Sequence, residues 1–176
     1  MAGDAPKRYA QAVFAIAVEN GTLAAWRSDL ADIAAVLTAS QAAPALADGR
    51  IPIDRRLGMV ERTLDVQPLA INLAKLLVQR GRSLEAAAVA RSFNSMADEH
   101  EGIAHAQVTA AVDLSPEQLA SIEQRLGQSL GKRIHATASV DPALIGGILV
   151  RVGDKLVDGS VRTRLRLLRR ELQGAR

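Results

Sequence analysis

Over roughly the first hundred positions, the apolar residues recur at helical spacing. After Pro6, the residues Ala10, Val13, Phe14, Ala17 and Val18 fall at i, i+3, i+4, i+7 and i+8, and Asn20-Gly21 supplies a stop. Thr22 stands where it can cap a second helix bearing Leu23, Trp26, Leu30, Ile33 and Leu37 on one face, and these two helices are expected to pair antiparallel. A short helix is expected around Gln41 to Ala47, with Pro44 inside it, and Asp48-Gly49-Arg50-Ile51-Pro52 reads as a loop. Asp54 is placed to cap a helix carrying Leu57, Val60 and Leu64. Pro68 starts another with Leu69, Leu73, Leu76 and Leu77, stopped by Gly81. Ser83 begins a last helix that reaches about Glu101 and ends at Gly102. About six helices joined by short links predict a compact helical bundle over residues 1–102.

At Ile103 the period changes from helical to alternating. Ala104, Ala106, Val108, Ala110 and Val112 face one way and His105, Gln107 and Thr109 the other, which predicts a half-buried strand. Ser115-Pro116-Glu117-Gln118 combines an N-cap, a proline in the first helical position and a glutamine at the capping-box position, and the helix it opens runs to Leu130 with Gly131 as its stop. Arg133 to Val140 reads as a second strand. Ile148 to Val152 and Lys155 to Asp158 flank Gly153-Asp154, a two-residue Gly-X loop that predicts a hairpin pairing Val152 with Lys155, Val150 with Val157 and Leu149 with Asp158. That register puts Ile148, Val150, Val152 and Val157 on one apolar face. Before it, Gly146-Gly147 permits a bend or the close approach of another backbone. After it, Asp158-Gly159-Ser160 turns the chain, and Ser160 is placed to cap a final helix with Val161, Leu165, Leu168 and Leu172 along one side. The fold class is therefore α+β: a helical bundle, then a small α/β domain over residues 103–176 with a β-hairpin and a terminal helix.

Composition narrows the chemistry. With 48% hydrophobic but only 2% aromatic residues (Tyr9, Phe14, Trp26, Phe93), the cores must be built from Ala, Leu, Val and Ile, and stacking platforms for bases are lacking. The absence of cysteine removes disulfides, thiol catalysis and cysteine-ligated zinc, and three scattered histidines give little support to a metal site. Charge is uneven. Residues 160–176 hold six arginines against one glutamate, a net +5, which leaves the rest of the chain at −2 of the total +3. No apolar run approaches the roughly 18 residues needed to span a bilayer. Lys7-Arg8 followed by Ala10 to Val18 imitates a signal peptide only in part. Asp4 sits on its charged side, and no small-x-small cleavage site precedes Glu19-Asn20-Gly21, so the segment is read as mature helix without a transit sequence.

Residues that invite a catalytic reading have simpler explanations. A dinucleotide fingerprint places its glycines after a strand and at the opening of a helix, whereas Gly146 and Gly147 precede a strand. Asp141, Asp154 and Asp158 occupy a pre-proline position, a hairpin loop and a turn, which are ordinary places for aspartate. His100 and His135 have no Ser or Glu partner at a spacing that marks a triad. The last helix is more open. Arg162, Arg166, Arg169 and Arg170 share a face that suits phosphates, an anionic membrane surface, an acidic helical partner or plain solvent, so an RNA- or membrane-surface-binding adaptor stands as the alternative function.

Taken together, Leu144-Ile145-Gly146-Gly147, the aliphatic run to Val150, Arg151, Gly153-Asp154, Leu156-Val157, Asp158-Gly159-Ser160-Val161 and the arginine-rich helix resemble the delta subunit family of the F-type ATP synthase, which includes the mitochondrial oligomycin-sensitivity-conferring protein. Tyr9-Ala10-Gln11-Ala12 and Asn72-Leu73 match as well, and small alanines at positions 10, 12 and 15 let another helix approach closely. The resemblance implies a non-catalytic stator subunit without cofactor or metal, one copy per complex, peripheral at the cytoplasmic face of a bacterial membrane. It implies that residues 1–102 receive an amphipathic helix from the N-terminus of an α subunit, in a groove between the first and fifth helices where Tyr9, Ala12, Asn72 and Leu76 match. It further implies that residues 103–176 hold the b-type stalk subunits and that no nucleic acid is bound. Gly146, Gly147, Gly153, Asp154, Asp158, Gly159 and Ser160 are the family signature, and their role is expected to be mainly structural.

Overall fold

The computed structural model describes residues 5–174 and separates into two compact units, 1–97 and 98–176, each with its own core. Among the described residues it holds eight α-helices and four strands, an α+β fold. The division falls within the last turn of a helix, slightly before the change of period at Ile103.

In the first unit the helices are α1 (Ala5–Glu19), α2 (Leu23–Ala34), α3 (Ala43–Ala47), α4 (Ile53–Thr63), α5 (Pro68–Gln79) and α6 (Ala86–His100). All six contribute to one core in which Trp26, Phe93, Leu30, Ile33, Leu46, Val60 and Leu77 are fully enclosed. Alanines fill much of the rest of this core, and Phe14 meets Phe93 edge-on with ring centroids 6.2 Å apart. Gly21 and Gly81 stop α1 and α5, and the residue after each donates its backbone N–H five positions back, Thr22 to Ala17 and Arg82 to Leu77.

Four local expectations change. Thr22 occupies the cap position of α2 but makes no side-chain cap bond. Closing α1 leaves its backbone at φ −110°, ψ 26°, outside the extended region from which a cap hydroxyl is aimed. Pro52, with φ already fixed near helical values, takes the cap position of α4, so Asp54 lies inside the first turn, where a carboxylate still favours the positive helix end. The short helix is α3, beginning at Ala43 with Pro44 in its first turn, where the missing N–H costs nothing. Ser83 opens a 3₁₀ turn, Ser83–Glu85, and α6 proper begins at Ala86. In addition, α2 continues as a wider π turn, Ala35–Ala39, where the Thr38 and Ser40 hydroxyls donate to the Ala34 and Val36 carbonyls at 2.6 and 2.7 Å.

The second unit carries one sheet in the order β2-β1-β3-β4, formed by β1 (Ile103–Ala110), β2 (Arg133–Val140), β3 (Ile148–Val152) and β4 (Lys155–Asp158). Strands β1 and β2 are parallel and joined through α7 (Pro116–Leu130); the other pairs are antiparallel. The Ser115/Gln118 capping box forms in full: Ser115 Oγ accepts the Gln118 N–H at 3.3 Å and Gln118 Oε1 accepts the Ser115 N–H at 2.9 Å. Helix α7 packs Leu119, Ile122, Leu126 and Leu130 over Ala106, Val108, Ile134 and Val150. Glu123 reaches from α7 to the edge strand, where its Oε1 accepts the Ala136 N–H at 2.7 Å.

The hairpin register is Leu149 with Asp158, Val150 with Val157 and Val152 with Lys155, as the Gly-Asp loop predicts. Two residues of the expected apolar face are instead open to solvent. Val157 pairs with buried Val150 but lies on edge strand β4, which is exposed throughout, whereas the packed cluster draws on β1, β2 and β3. Val112 follows the last ladder position, Ala110 opposite Val140, and without a strand neighbour it is exposed. The chain ends in α8 (Val161–Gly174). Among the described residues no helix is long and apolar enough to cross a membrane.

Candidate functional site

The first unit presents a cleft of about 670 Å³ between α1 and the end of α5, lined by Ala5, Arg8, Tyr9, Ala12, Leu76, Arg80 and Arg82. Its shape follows from residue spacing. Ala5, Tyr9, Ala12 and Ile16 form one stripe of α1, and small side chains at positions 5 and 12 lower the floor on either side of the half-buried Tyr9 ring. Leu69, Asn72 and Leu76 form the matching stripe of α5, exposed at Leu69 and Asn72 and half-buried at Leu76. Of the four residues singled out from the sequence, the cleft therefore joins Tyr9, Ala12 and Leu76. Asn72 stands one turn before Leu76, exposed and outside the lining.

Sequence reasoning missed the arginines at this cleft. Arg8 lies one turn before Ala12 and Arg80 one turn after Leu76, so a step of four positions from each of those residues would have found them; Arg82 follows Gly81 and lies 3.7 Å from the Glu85 carboxylate. The cleft is thus apolar along its floor and cationic at its lining. That suits an amphipathic helix with acidic residues on its flank better than it suits a small polar substrate.

In the second unit the signature residues form a backbone lock. Gly147 has φ +81°, and a Cβ there would lie 2.4 Å from the Gly159 carbonyl oxygen and 3.0 Å from Ser160 Cα. The Gly159 N–H donates to Ile148 O at 2.9 Å and the Val161 N–H to Gly146 O at 3.0 Å, so the two glycine-bearing segments lie against one another. Asp158 anchors the helix start. Its Oδ2 accepts the Thr163 hydroxyl at 2.7 Å and its Oδ1 the Ser160 N–H at 2.9 Å, while the buried Ser160 takes the Thr163 N–H at 3.3 Å as N-cap. The Thr163 hydroxyl, then Ser160 through its side chain and backbone, with Arg166 nearby, hold the Asp158 carboxyl down at about 2. Thr163 was not singled out in the sequence, because its pairing with an aspartate five residues earlier matches no standard cap spacing.

Gly153 sits in the hairpin loop with φ +55° and Asp154 beside it with negative φ, the pattern of a type II′ turn. His105 and His135, opposite each other on β1 and β2, stack with ring centroids 6.0 Å apart, and His105 Nε2 is 2.9 Å from the Asp98 carboxylate. Among the described residues no group of three or more His, Asp or Glu is arranged to hold a metal ion.

The family model described as ATP synthase delta (OSCP) subunit matches residues 5–172. The chain belongs to that family. Curated relatives named ATP synthase subunit delta include one from Dehalococcoides mccartyi, 35% identical, with 96% of this chain and 94% of the relative covered. Others come from Symbiobacterium thermophilum, 36% identical over 96% of this chain and 92% of the relative, and from Caulobacter vibrioides, 34% identical over 99% and 97%. In solved structures the fold resembles a chain of the Toxoplasma gondii mitochondrial ATP synthase hexamer, with a TM-score of 0.65, 22% identity, and 96% of this chain and 97% of that one covered. The delta/OSCP family is that of a non-catalytic subunit of the F-type ATP synthase, and a peripheral-stalk role accords with it.

Proposed function

We propose that this chain is the stator subunit that ties the α/β catalytic head to the membrane-anchored stalk, so that rotor torque is resisted during ion-driven ATP synthesis. Its two units divide the task. Residues 1–102, read as a six-helix bundle, take the N-terminal helix of an α subunit in the α1/α5 groove, with Tyr9, Ala12, Asn72 and Leu76 as contacts. Residues 103–176 hold the far end of the b-type subunits. One copy serves each complex, peripheral at the cytoplasmic face of a bacterial membrane, with neither cofactor nor nucleic acid.

The observation that supports this most is the α1/α5 cleft itself, which draws Tyr9, Ala12 and Leu76 to one apolar floor. A mechanical role needs no reacting group, but it does need a bond that outlasts many turnovers. Nanomolar affinity, about −12 kcal/mol, is the scale required, and an amphipathic helix in an apolar groove reaches it by burying its anchors.

Calorimetric titration of the full chain with a synthetic peptide of the α-subunit N-terminus from the same organism tests this. Tight binding is expected, weakened only modestly by salt because the exposed Arg8 and Arg80 contribute a screened share of it, and Leu76→Ala weakens it by more than about 1 kcal/mol, the loss of a partly buried leucine contact. Unchanged affinity in that variant removes Leu76 from the interface and with it the groove assignment.

A further inference from the structure

Helix α8 leaves most of its apolar side uncovered. Val161, 36% exposed, lies partly against Gly146 at the start of the helix, while Leu165, Leu168 and Leu172 are 56%, 52% and 71% exposed. Their spacing of four, three and four is the a/d pattern of a coiled coil, with Val161 and Leu168 at d and Leu165 and Leu172 at a. In that register Arg162 and Arg169 fall at e and Arg164 at g, all exposed, and the remaining g position in sequence is Glu171. Arg162 also reaches the Ala143 carbonyl at 3.4 Å, and Arg166, at b, donates to the Thr163 hydroxyl at 3.2 Å. A helix of two heptads is marginal in water unless its apolar side is packed, so the seam calls for a cover.

The flanking charges select what covers it. At 100° per residue the four a/d positions span roughly 60° of arc, and the remaining apolar residue of the helix, Leu167 at c, is set apart from them in sequence by Arg164 and Glu171 at g, so the seam is narrower than the face of about 100° or more that a core or a membrane interface takes, and arginines border it on both sides. Nucleic acid would engage the arginines and leave the leucines wet, and the helix has no aromatic residue on which to stack a base. A second copy of this chain would set arginine against arginine across the e and g positions. An acidic helix satisfies both features together.

We propose that α8 is one half of a two-stranded coiled coil whose other half is a helix of at least two heptads, apolar at a and d and bearing Asp or Glu at e and g. Assigning that helix to the membrane-distal end of the b-type subunits rests on the stalk reading above.

The full chain is titrated with two designed peptides of about three heptads, each with Leu at a and d, one with Glu and the other with Lys at e and g. The Glu peptide is expected to bind at least about tenfold more tightly than the Lys peptide, and Leu165→Asp with Leu168→Asp to weaken it by at least about tenfold. The double charge reversal Arg162→Glu with Arg169→Glu, which leaves every apolar contact in place, is expected to invert the preference. Equal binding of the two peptides, no binding of the Glu peptide, or an unchanged preference after charge reversal would each overturn the inference, as would displacement of the peptide by phosphatidylglycerol vesicles at moderate salt. A soluble segment of the organism's b-type subunit then separates the two claims. Displacement of the Glu peptide identifies the partner; binding without displacement, or no binding, overturns that identification, and the peptide result alone decides the seam.

Discussion

Gly147 and Asp158 show how single residues build the second unit. Where Gly147 passes Gly159 and Ser160 there is no room for a β-carbon, so the glycine pair answers to a close approach of backbone, legible in the sequence only as a capacity for one. Asp158 was legible as a turn residue, but its tie to Thr163 joins the turn to the helix behind it, and no periodic pattern predicts such a contact. That tie has a pH signature. With the carboxyl held near 2 against an ordinary value of 3.8, the folded state favours the ionised form. Its contribution is therefore full above about pH 4 and fades as pH falls toward 2. The wild type is expected to melt above Asp158→Asn at neutral pH, with the gap narrowing between pH 4 and pH 2. A gap that stays constant over that range would contradict the assignment.

At the scale of elements, the strongest local signals gave the right geometry. The Gly153-Asp154 loop dictated the hairpin register, and Ser115 with Gln118 dictated the start of α7, because each signal is complete within a few residues. Replacing Gly153 with Val forces a β-branched residue to φ +55°, a strain of about 1–2 kcal/mol, although nothing crowds the site. The second unit is expected to melt at a lower temperature in this variant, as followed by circular dichroism; an unaltered melting temperature would refute the turn. Weaker signals lost to their neighbours. At Thr22 the closing of α1 set the backbone, and at Asp54 a preceding proline took the cap position. Val157 and Val112 have the right alternation for a buried face, but alternation cannot say where the covering helix stops or where a ladder runs out of partners.

For the whole molecule, two units with separate cores suit a tether, since each unit can grip its own partner. Of the residues the resemblance singles out, Tyr9, Ala12 and Leu76 line the cleft and Asn72 lies outside it. Arg8 and Arg80 were within reach of the sequence, one turn from Ala12 and Leu76, but Arg82 lies past the glycine that stops α5, where no helical spacing leads to it. The proposed role makes one demand that no single interface meets: both partners must be held at once. Sedimentation of the full chain with the α-subunit N-terminal peptide and a soluble segment of the b-type subunits tests this most directly. The account predicts a complex containing all three, with each partner binding as tightly in the presence of the other as alone. If adding one releases the other, or if either fails to bind the folded chain, the tether is contradicted.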